Sequence, residues 1–284
     1  METRKPVTTA KLRKMKEDRN PITVVTAYDY TSAMLAEQAG VEVLLVGDSL
    51  GNVVLGYETT VPVTLSDMLH HTKAVTRAAR TSFVVADLPF ATYHGSLDQT
   101  LRNAACLMQE GLAKAVKLEG GAEIVPAVRA LVQAGIPVMA HLGLTPQSIH
   151  QIGGFKVQGK TDEQAKRLLS DAKLLEEAGA FAVVLELVTD ELAREVTDAL
   201  SIPTIGIGAG ASCDGQVLVF HDLLGYAGES HPKRMVKEYA AVGDVIRGAL
   251  QHYVQDVKAR QFPAEEHTFH KPEEVASHLY GGVH

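Results

Sequence analysis

The sequence contains eight short apolar runs that are rich in β-branched residues and are bounded by glycine, proline or charged residues. Runs that are apolar at nearly every position are typical of strands covered on both faces, as in a parallel sheet. The predicted strands cover residues 22–28, 41–48, 82–89, 113–120, 136–143, 181–187, 202–210 and 215–222.

Segments of helical periodicity separate most of these strands, and several end in Ala-Gly just before the next strand. Glycine at that place can adopt the left-handed conformation that ends a helix. Strands alternating with helices predict a single-domain (β/α)8 TIM barrel. The clearest helices are predicted over residues 66–79, 97–109, 124–134 and 162–177.

The eighth strand is the weakest part of this pattern, because its connection to the seventh is too short for a full helix. A doubly wound open sheet is therefore the structural alternative. From residue 226 to residue 284 the pattern predicts a helical extension of the same domain, with a helix over 236–259 and an extended tail from Phe262.

The length and hydrophobicity of the chain suit one barrel that is not a membrane protein. The chain has 284 residues, and barrels of this class take about 250. No apolar run approaches the roughly 20 residues that span a bilayer. Residues 1–20 are polar and lack the apolar stretch of a secretory signal. We therefore expect a cytoplasmic protein without a membrane partner.

Charge and cysteine content remove further classes of function. A net charge of −7 and a pI near 5.9 disfavour a nucleic-acid partner, which requires a basic patch. A small anionic substrate stays possible, because a metal ion and one lysine can reverse the potential inside a pocket. Cys106 and Cys213 lie far apart and form no CxxC, so we expect neither a disulfide framework nor a zinc site.

Charged residues stand at the carboxyl ends of the predicted strands, which is where barrels place their active sites. Asp48, Asp87 and Glu119 follow adjacent strands, and three carboxylates form the oxygen-rich site that Mg²⁺ prefers. One such residue alone could cap a helix or join a surface ion pair. Three together favour a metal site.

Two further charged residues, Lys117 and Glu186, have open roles. Lys117 lies two positions before Glu119, so both point to the same side of the strand. It could bind a substrate carboxylate or neutralise the acidic cluster. Glu186 interrupts an apolar run, where an unpaired charge would be costly. We predict that it is a general base for a weakly acidic C–H proton, with a structural ion pair to Lys117 or Arg194 as the alternative.

Two other features remain ambiguous from the residues alone. His141 is as consistent with a hydrogen-bonded core histidine as with a site residue. The glycine-rich run 206–210 follows the seventh strand, where barrels often bind anions through backbone N–H groups, but it could simply form a tight turn.

Short motifs around these strand ends occur in a fixed order along most of the chain. They are TAYDY (26–30), VGDSLG (46–51), VPVTLSD (61–67), ADLPF (86–90), VKLEGG (116–121), HLGLTPQS (141–148), GGFKVQGK (153–160), IGIGAG (205–210) with DGQVLV (214–219), and EEHTFH (265–270). In these motifs the chain resembles the ketopantoate hydroxymethyltransferase family.

The resemblance implies transfer of a hydroxymethyl group from 5,10-methylenetetrahydrofolate to 3-methyl-2-oxobutanoate, giving 2-dehydropantoate (ketopantoate) in the first step of pantothenate biosynthesis. It implies a Mg²⁺-stabilised enolate and a homodecamer. The family's metal ligands fall on Asp48, Asp87 and Glu119, and its general base falls on Glu186. Its 2-oxoacid contacts fall on Asp48, Ser49, Asp87 and Lys117.

The chain departs from the family pattern in two places. Residues 227–239 match only loosely, and the tail continues beyond His270. We expect these segments to contact the folate side of the site or another subunit. A carbon–carbon lyase or phosphoenolpyruvate mutase-like enzyme is the nearest rival, although the chain has no KKCGH-like loop. A barrel that only binds a metal or an anion is the non-enzymatic alternative.

Overall fold

The computed structural model describes residues 4–226 and 234–271, and its centre is a closed barrel of eight parallel strands. Strand β8 pairs with β1 from Ile22↔Gly215 to Val25↔Leu218, so the sheet has no open edge. The (β/α)8 barrel is confirmed and the open sheet is wrong. The strands are β1 Ile22–Thr26, β2 Val43–Val46, β3 Phe83–Asp87, β4 Ala115–Glu119, β5 Val138–Gly143, β6 Ala182–Glu186, β7 Thr204–Ile207 and β8 Gly215–Leu218.

Helices follow most strands and cover the outside of the barrel. The connection 208–214, described throughout, contains no helix, as its length predicted. No helix within residues 4–226 and 234–271 has the length and apolarity needed to cross a membrane. The helices are α1 Thr9–Glu17, α2 Tyr30–Gln38, α3 Leu50–Val53, α4 Leu65–Ala78, α5 Leu97–Gln109, α6 Val125–Gln133, α7 Ile149–Ile152, α8 Asp162–Glu177, α9 Asp190–Ala199, α10 Phe220–Leu223 and α11 Val242–Lys258.

The terminal helix begins later than the sequence pattern predicts. The expected helix over 236–259 corresponds to α11, which starts only at Val242. The preceding backbone pairs with the end of α10, because the N–H groups of Tyr239 and Val242 donate to the carbonyls of Leu223 and Leu224, each at 2.9 Å. These tertiary hydrogen bonds replace the first turns of the expected helix. The rest of the predicted extension, residues 227–233 and 272–284, lies outside the described residues.

Side chains alternate between the barrel interior and the layer under the helices, as the period of a strand requires. On β4, Ala115 belongs to the interior core, whereas Val116 and Leu118 pack in the outer core. This parity carries Lys117 and Glu119 into the interior. The same alternation on the neighbouring strands turns three more polar side chains inward at the carboxyl end: Asp87, His141 and Glu186.

Candidate active site

A small cavity at the carboxyl ends of the strands brings the predicted site residues together. Its volume is about 120 Å³, which suits a small organic acid. The titratable residues predicted for the site are buried, so their charges interact through protein rather than bulk water. The predicted residues that line it are Asp48, Ser49, Asp87, Lys117, Glu119, His141 and Glu186.

Asp48 and Ser49 lie in the loop after β2 rather than on the strand itself. Strand β2 ends at Val46, so the expected strand over 41–48 stops two residues early. The Asp48 N–H donates to Asp87 Oδ2 at 3.0 Å and ties this loop to β3. The Ser49 hydroxyl shares a hydrogen bond of 2.8 Å with the buried Tyr28 hydroxyl. Tyr28, just after β1, and Asp87, at the end of β3, therefore hold the two residues in the cavity wall.

Lys117 is buried at the bottom of the acidic cluster. Its Nζ lies 3.2 Å from Asp87 Oδ1 and 3.2 Å from His141 Nδ1. Burial alone would lower the pKa of Lys117, but the charges of Asp87 and Glu119 outweigh burial and raise it. Lys117 is therefore a cation that neutralises the cluster. Its contact with a substrate carboxylate stays a prediction.

His141 connects the carboxylates of Glu119 and Glu186. Its Nδ1 lies 3.4 Å from Glu119 Oε1, and its Nε2 lies 3.3 Å from Glu186 Oε2 in an ion-pair contact outside ideal hydrogen-bond geometry. Burial and the charge of Lys117 lower the pKa of His141, but the two carboxylates outweigh them and raise it to about 9. His141 is thus a site residue, and its two carboxylate neighbours favour its protonated form.

The structural alternative for Glu186 named the wrong partners. Its ion-pair partner in the described structure is His141, whereas Arg194 pairs with Asp190 at 3.0 Å. Glu186 ends β6 and lines the same cavity as the acidic cluster. Its Oε2 contacts His141, and its Oε1 has no hydrogen-bond or ion-pair partner within residues 4–226 and 234–271.

Three neutral residues organise the site and were missed by the search for charged strand ends. Gln147 donates from Nε2 to Asp48 Oδ2 at 2.8 Å, and its backbone N–H donates to Glu119 Oε2 at 3.0 Å. Tyr93 donates to the Gln147 side-chain oxygen at 2.7 Å. Tyr28 lies within the motif TAYDY and Gln147 within HLGLTPQS, so these motifs are the sequence signal that could have identified both residues. Tyr93 carried no sequence signal.

Among the described residues that line the cavity, carboxyl groups outnumber the basic side chains, which are Lys117 and His141. Burial, together with repulsion from Asp87 and Glu119, raises the pKa of Asp48 well above its usual range. Burial also raises the pKa of Asp87 despite the neighbouring lysine. The raised pKa values reflect the cost of ionising crowded, buried carboxyl groups, and a bound cation would lower that cost. The carboxyl groups that line the cavity belong to Asp48, Asp87, Glu119, Glu186 and Asp222.

The donors of the acidic cluster fit Mg²⁺ in their chemistry. All are oxygens, and among the residues described the buried Asp87 Oδ1 has only the ion-pair contact with Lys117, which lacks hydrogen-bond geometry. In the same part of the chain, no three His, Cys, Asp or Glu side chains are placed to hold one ion together. Because Mg²⁺ keeps several water ligands, a protein need not supply a closed shell. Cys106 and Cys213 are free thiols in the described structure.

The glycine-rich run after β7 lines a neighbouring groove. Gly208 and Gly210 have φ values of +64° and +75°, which favour glycine. The connection they begin contains no helix over residues 208–214, so this loop has no helix N-terminus with which to bind an anion.

Fold and site together define a class: a single (β/α)8-barrel enzyme with a buried carboxylate cluster at the carboxyl ends of its strands. Solved structures with this fold include a phosphonopyruvate hydrolase in complex with oxalate and Mg++ (TM-score 0.60, 14% identity, covering 97% of this chain and 95% of that one). Another is 2,3-dimethylmalate lyase, a PEP mutase/isocitrate lyase superfamily member (TM-score 0.56, 21% identity, covering 96% of this chain and 94% of that one). At these identities the likeness shows a common fold only.

Sequence comparison separates the chain from those neighbours. The family model described as ketopantoate hydroxymethyltransferase matches residues 6–265. A protein of Geobacillus sp. (strain WCH70) named 3-methyl-2-oxobutanoate hydroxymethyltransferase is 57% identical, and the match covers 95% of this chain and 96% of that protein. A protein of the same name from Syntrophus aciditrophicus (strain SB) is also 57% identical, and the match covers 93% of this chain and 96% of that protein. The chain belongs to the ketopantoate hydroxymethyltransferase family. It is a transferase, so the resemblance is confirmed and the non-enzymatic alternative is wrong.

Proposed function

We propose that this enzyme transfers a hydroxymethyl group from 5,10-methylenetetrahydrofolate to 3-methyl-2-oxobutanoate and so forms ketopantoate, the first step of pantothenate biosynthesis. One observation carries the proposal: Glu186 faces the same small cavity as the acidic cluster and is connected to it through His141. The names of the family relatives support the same reaction.

Asp48, Asp87 and Glu119 would hold Mg²⁺ at the acidic cluster. Both Glu119 oxygens already have partners, His141 and the Gln147 N–H, so we expect Glu119 to reach the ion through a water molecule. When bound, Mg²⁺ acts as a Lewis acid toward the 2-oxo group and makes the C3 proton easier to remove.

Lys117 and Ser49 would position the carboxylate of the 2-oxoacid. Lys117 supplies positive charge at the bottom of the cavity, and Ser49 presents a hydroxyl whose direction is set by Tyr28. Two fixed contacts at one end of a small acid leave little freedom at the other end. C3 would then be held near the base in a geometry that favours proton transfer.

Glu186 would remove the C3 proton. The His141 contact holds Oε2, so Oε1 is the oxygen that we assign to the substrate side. Water would add to the methylene carbon of the donor and break both of its carbon–nitrogen bonds, which gives tetrahydrofolate with both nitrogens protonated and a one-carbon unit at the oxidation level of formaldehyde. The electron pair left at C3 would attack that carbon, and its oxygen would take up the proton that Glu186 removed and become the hydroxyl group of the product.

We also propose that the enzyme is a cytoplasmic homodecamer, as the family resemblance implies. The apolar side of α11, which residues 4–226 and 234–271 leave largely exposed, supports association with further copies. Four of its exposed apolar residues, Ile246, Leu250, Tyr253 and Val257, follow the spacing of one helix face.

An NMR experiment in D₂O tests the proposed function in two stages. The C3 proton of 3-methyl-2-oxobutanoate is followed with enzyme and Mg²⁺, and 5,10-methylenetetrahydrofolate is then added. We expect exchange at C3 first and folate-dependent ketopantoate second. Exchange without product would indicate another enolate-forming enzyme, and no exchange at any Mg²⁺ concentration would refute the base assignment.

A further inference from the structure

A second, larger groove opens beside the active-site cavity. Its volume is about 840 Å³, and it shares Phe155 and Met235 with the smaller cavity, so the two are continuous. Its walls come from the loop before α8, from the residues after β6 and β7, and from the segment before α11. They include Phe155, Val157, Leu187, Gly208, Arg234 and Met235.

The groove presents an aromatic ring beside the proposed base. Phe155 is 67% exposed and follows Gly153 and Gly154, both of which have positive φ. Farther along the same loop, the N–H of Gln158 donates to the carbonyl of Leu187 at 2.7 Å. Leu187 directly follows Glu186, so this hydrogen bond fixes the Phe155 loop next to the reacting end of the active-site cavity.

The floor of the groove depends on a glycine. A Cβ atom at Gly208 would lie 2.7 Å from Met235 Sδ and 2.8 Å from Leu187 Cδ2, both too close for a real contact. Only glycine lets these two apolar side chains approach across the loop after β7. The glycine-rich run therefore shapes an apolar surface.

The two charged side chains of the groove, Asp190 and Arg234, differ in whether a partner compensates their charge. The Asp190 carboxylate at its edge accepts hydrogen bonds from Arg194 at 3.0 Å and from Ser212 at 3.1 Å, so its charge is compensated. Arg234 lines the groove and forms no ion pair with a carboxylate in residues 4–226 and 234–271. An anionic group that entered the groove would meet this guanidinium, whose geometry suits pairing with carboxylates.

We propose that this groove binds the one-carbon donor, with the flat rings of the reduced folate against Phe155 and its glutamate carboxylates at Arg234. The inference rests on the proposed function and deepens it. The active-site cavity, at about 120 Å³, has room for the 2-oxoacid but not for a pterin, a benzoyl group and a glutamate. The donor must lie outside that cavity and still reach C3 beside Glu186, which the continuous groove allows.

Donor binding to variants of the groove tests the inference. Phe155→Ala and Arg234→Gln should each raise the KM for 5,10-methylenetetrahydrofolate about tenfold or more, because each removes one principal contact. C3 exchange of 3-methyl-2-oxobutanoate should keep its wild-type rate in Arg234→Gln, because Arg234 lines only the larger groove. Lys237→Gln is the matched control, since it removes the same charge from the same segment while its side chain stacks on Tyr239, 4.7 Å from the ring centroid.

A truncated ligand tests the assignment of Arg234 in the unaltered enzyme. Tetrahydropteroate lacks the glutamate, so the wild type should bind it about tenfold more weakly than tetrahydrofolate in a calorimetric titration. Arg234→Gln should bind both ligands equally weakly.

Two outcomes would overturn the groove assignment. The first is that Phe155→Ala and Arg234→Gln both keep the wild-type KM for 5,10-methylenetetrahydrofolate while C3 exchange is normal. The second is that the wild type binds tetrahydropteroate and tetrahydrofolate with equal affinity. Failure of exchange or of product formation in the wild type would instead overturn the proposed function.

Discussion

At the scale of single residues, Gln147 orients the acidic cluster without carrying charge. Its side chain and backbone hold one oxygen each of Asp48 and Glu119, and Tyr93 fixes its amide in turn. Groups that hold metal-binding carboxylates in place commonly matter as much as some of the ligands. A change at Gln147 should therefore act on metal affinity before it acts on chemistry.

Gln147→Ala should weaken Mn²⁺ or Mg²⁺ binding about 10- to 100-fold, because Asp48 loses its side-chain hydrogen-bond donor. Mn²⁺ binding measured by electron paramagnetic resonance gives the dissociation constant without turnover. Gln133→Ala, at an exposed position near the end of α6, should leave it unchanged. A wild-type dissociation constant for the Gln147 variant would contradict this role.

The charged residues of the site could be predicted from sequence, whereas its neutral ones could not. Asp87, Lys117, Glu119 and Glu186 end or nearly end regular strands, and barrel geometry brings strand ends together. Gln147 lies 99 positions from Asp48 along the chain, and no local pattern announces such a contact. Its role depends on how two loops fold over the barrel.

At the scale of elements, helix α4 begins with a reciprocal capping box. The Asp67 N–H donates to Thr64 Oγ1 at 3.2 Å, and the Thr64 N–H and hydroxyl donate to the Asp67 carboxylate. The backbone N–H groups of Thr64 and Asp67 are therefore both hydrogen-bonded at this helix end. The pattern explains why a helix predicted over 66–79 begins at Leu65.

Thr64→Ala should destabilise the protein by about 1 kcal/mol, because it leaves the Asp67 N–H without its cap. Urea unfolding at neutral pH measures the loss. Ser66→Ala, at an exposed position in the same turn, is the control and should have little effect. Equal stabilities of wild type and Thr64→Ala would show that water replaces the cap at no cost.

The same cap predicts a pH dependence. Hydrogen bonds from Thr64 lower the pKa of Asp67 in the folded protein. A lowered folded-state pKa contributes stability above the unfolded value of about 3.9, and this contribution is lost as the pH falls through the folded pKa. The difference in unfolding free energy between wild type and Thr64→Ala should therefore shrink below about pH 4. A difference that grows on acidification would contradict the assigned sign.

The boundaries of helices and strands could be predicted only where the local residue pattern alone determines them. Strands β1 to β8 follow apolar runs, and each is found within its predicted segment. The start of α11 was misplaced because hydrogen bonds to Leu223 and Leu224 hold residues 239–242 in another conformation. A residue pattern that is compatible with a helix cannot reveal a competing tertiary pairing.

At the scale of the whole molecule, α11 is the least integrated helix of the described structure. It has no buried residue, and its apolar face is exposed to solvent in one copy. Leu250→Glu should therefore reduce the assembly size, because a charge would be buried at the contact. Light scattering after size-exclusion chromatography measures the mass, with Gln255→Glu on the opposite face as the control. Unchanged mass for Leu250→Glu would rule out this face as a contact.

The barrel alone does not determine the reaction, because hydrolases and lyases share it at 14–21% identity. In this chain, Glu186 and His141 pair beside the acidic cluster, and a groove leads to that cavity. Specificity for a one-carbon donor would then reside in the loops, while the barrel supplies the common cavity.

The central claim is that Glu186 removes the C3 proton, and deuterium exchange of 3-methyl-2-oxobutanoate by Glu186→Gln tests it most directly. General bases contribute about 10²- to 10⁴-fold, so exchange should fall by at least 100-fold. Binding of the 2-oxoacid, measured by calorimetry with Mg²⁺ present, should stay within about threefold of wild type, because Glu186 is not among the residues assigned to bind it. Exchange at the wild-type rate in Glu186→Gln would contradict the account.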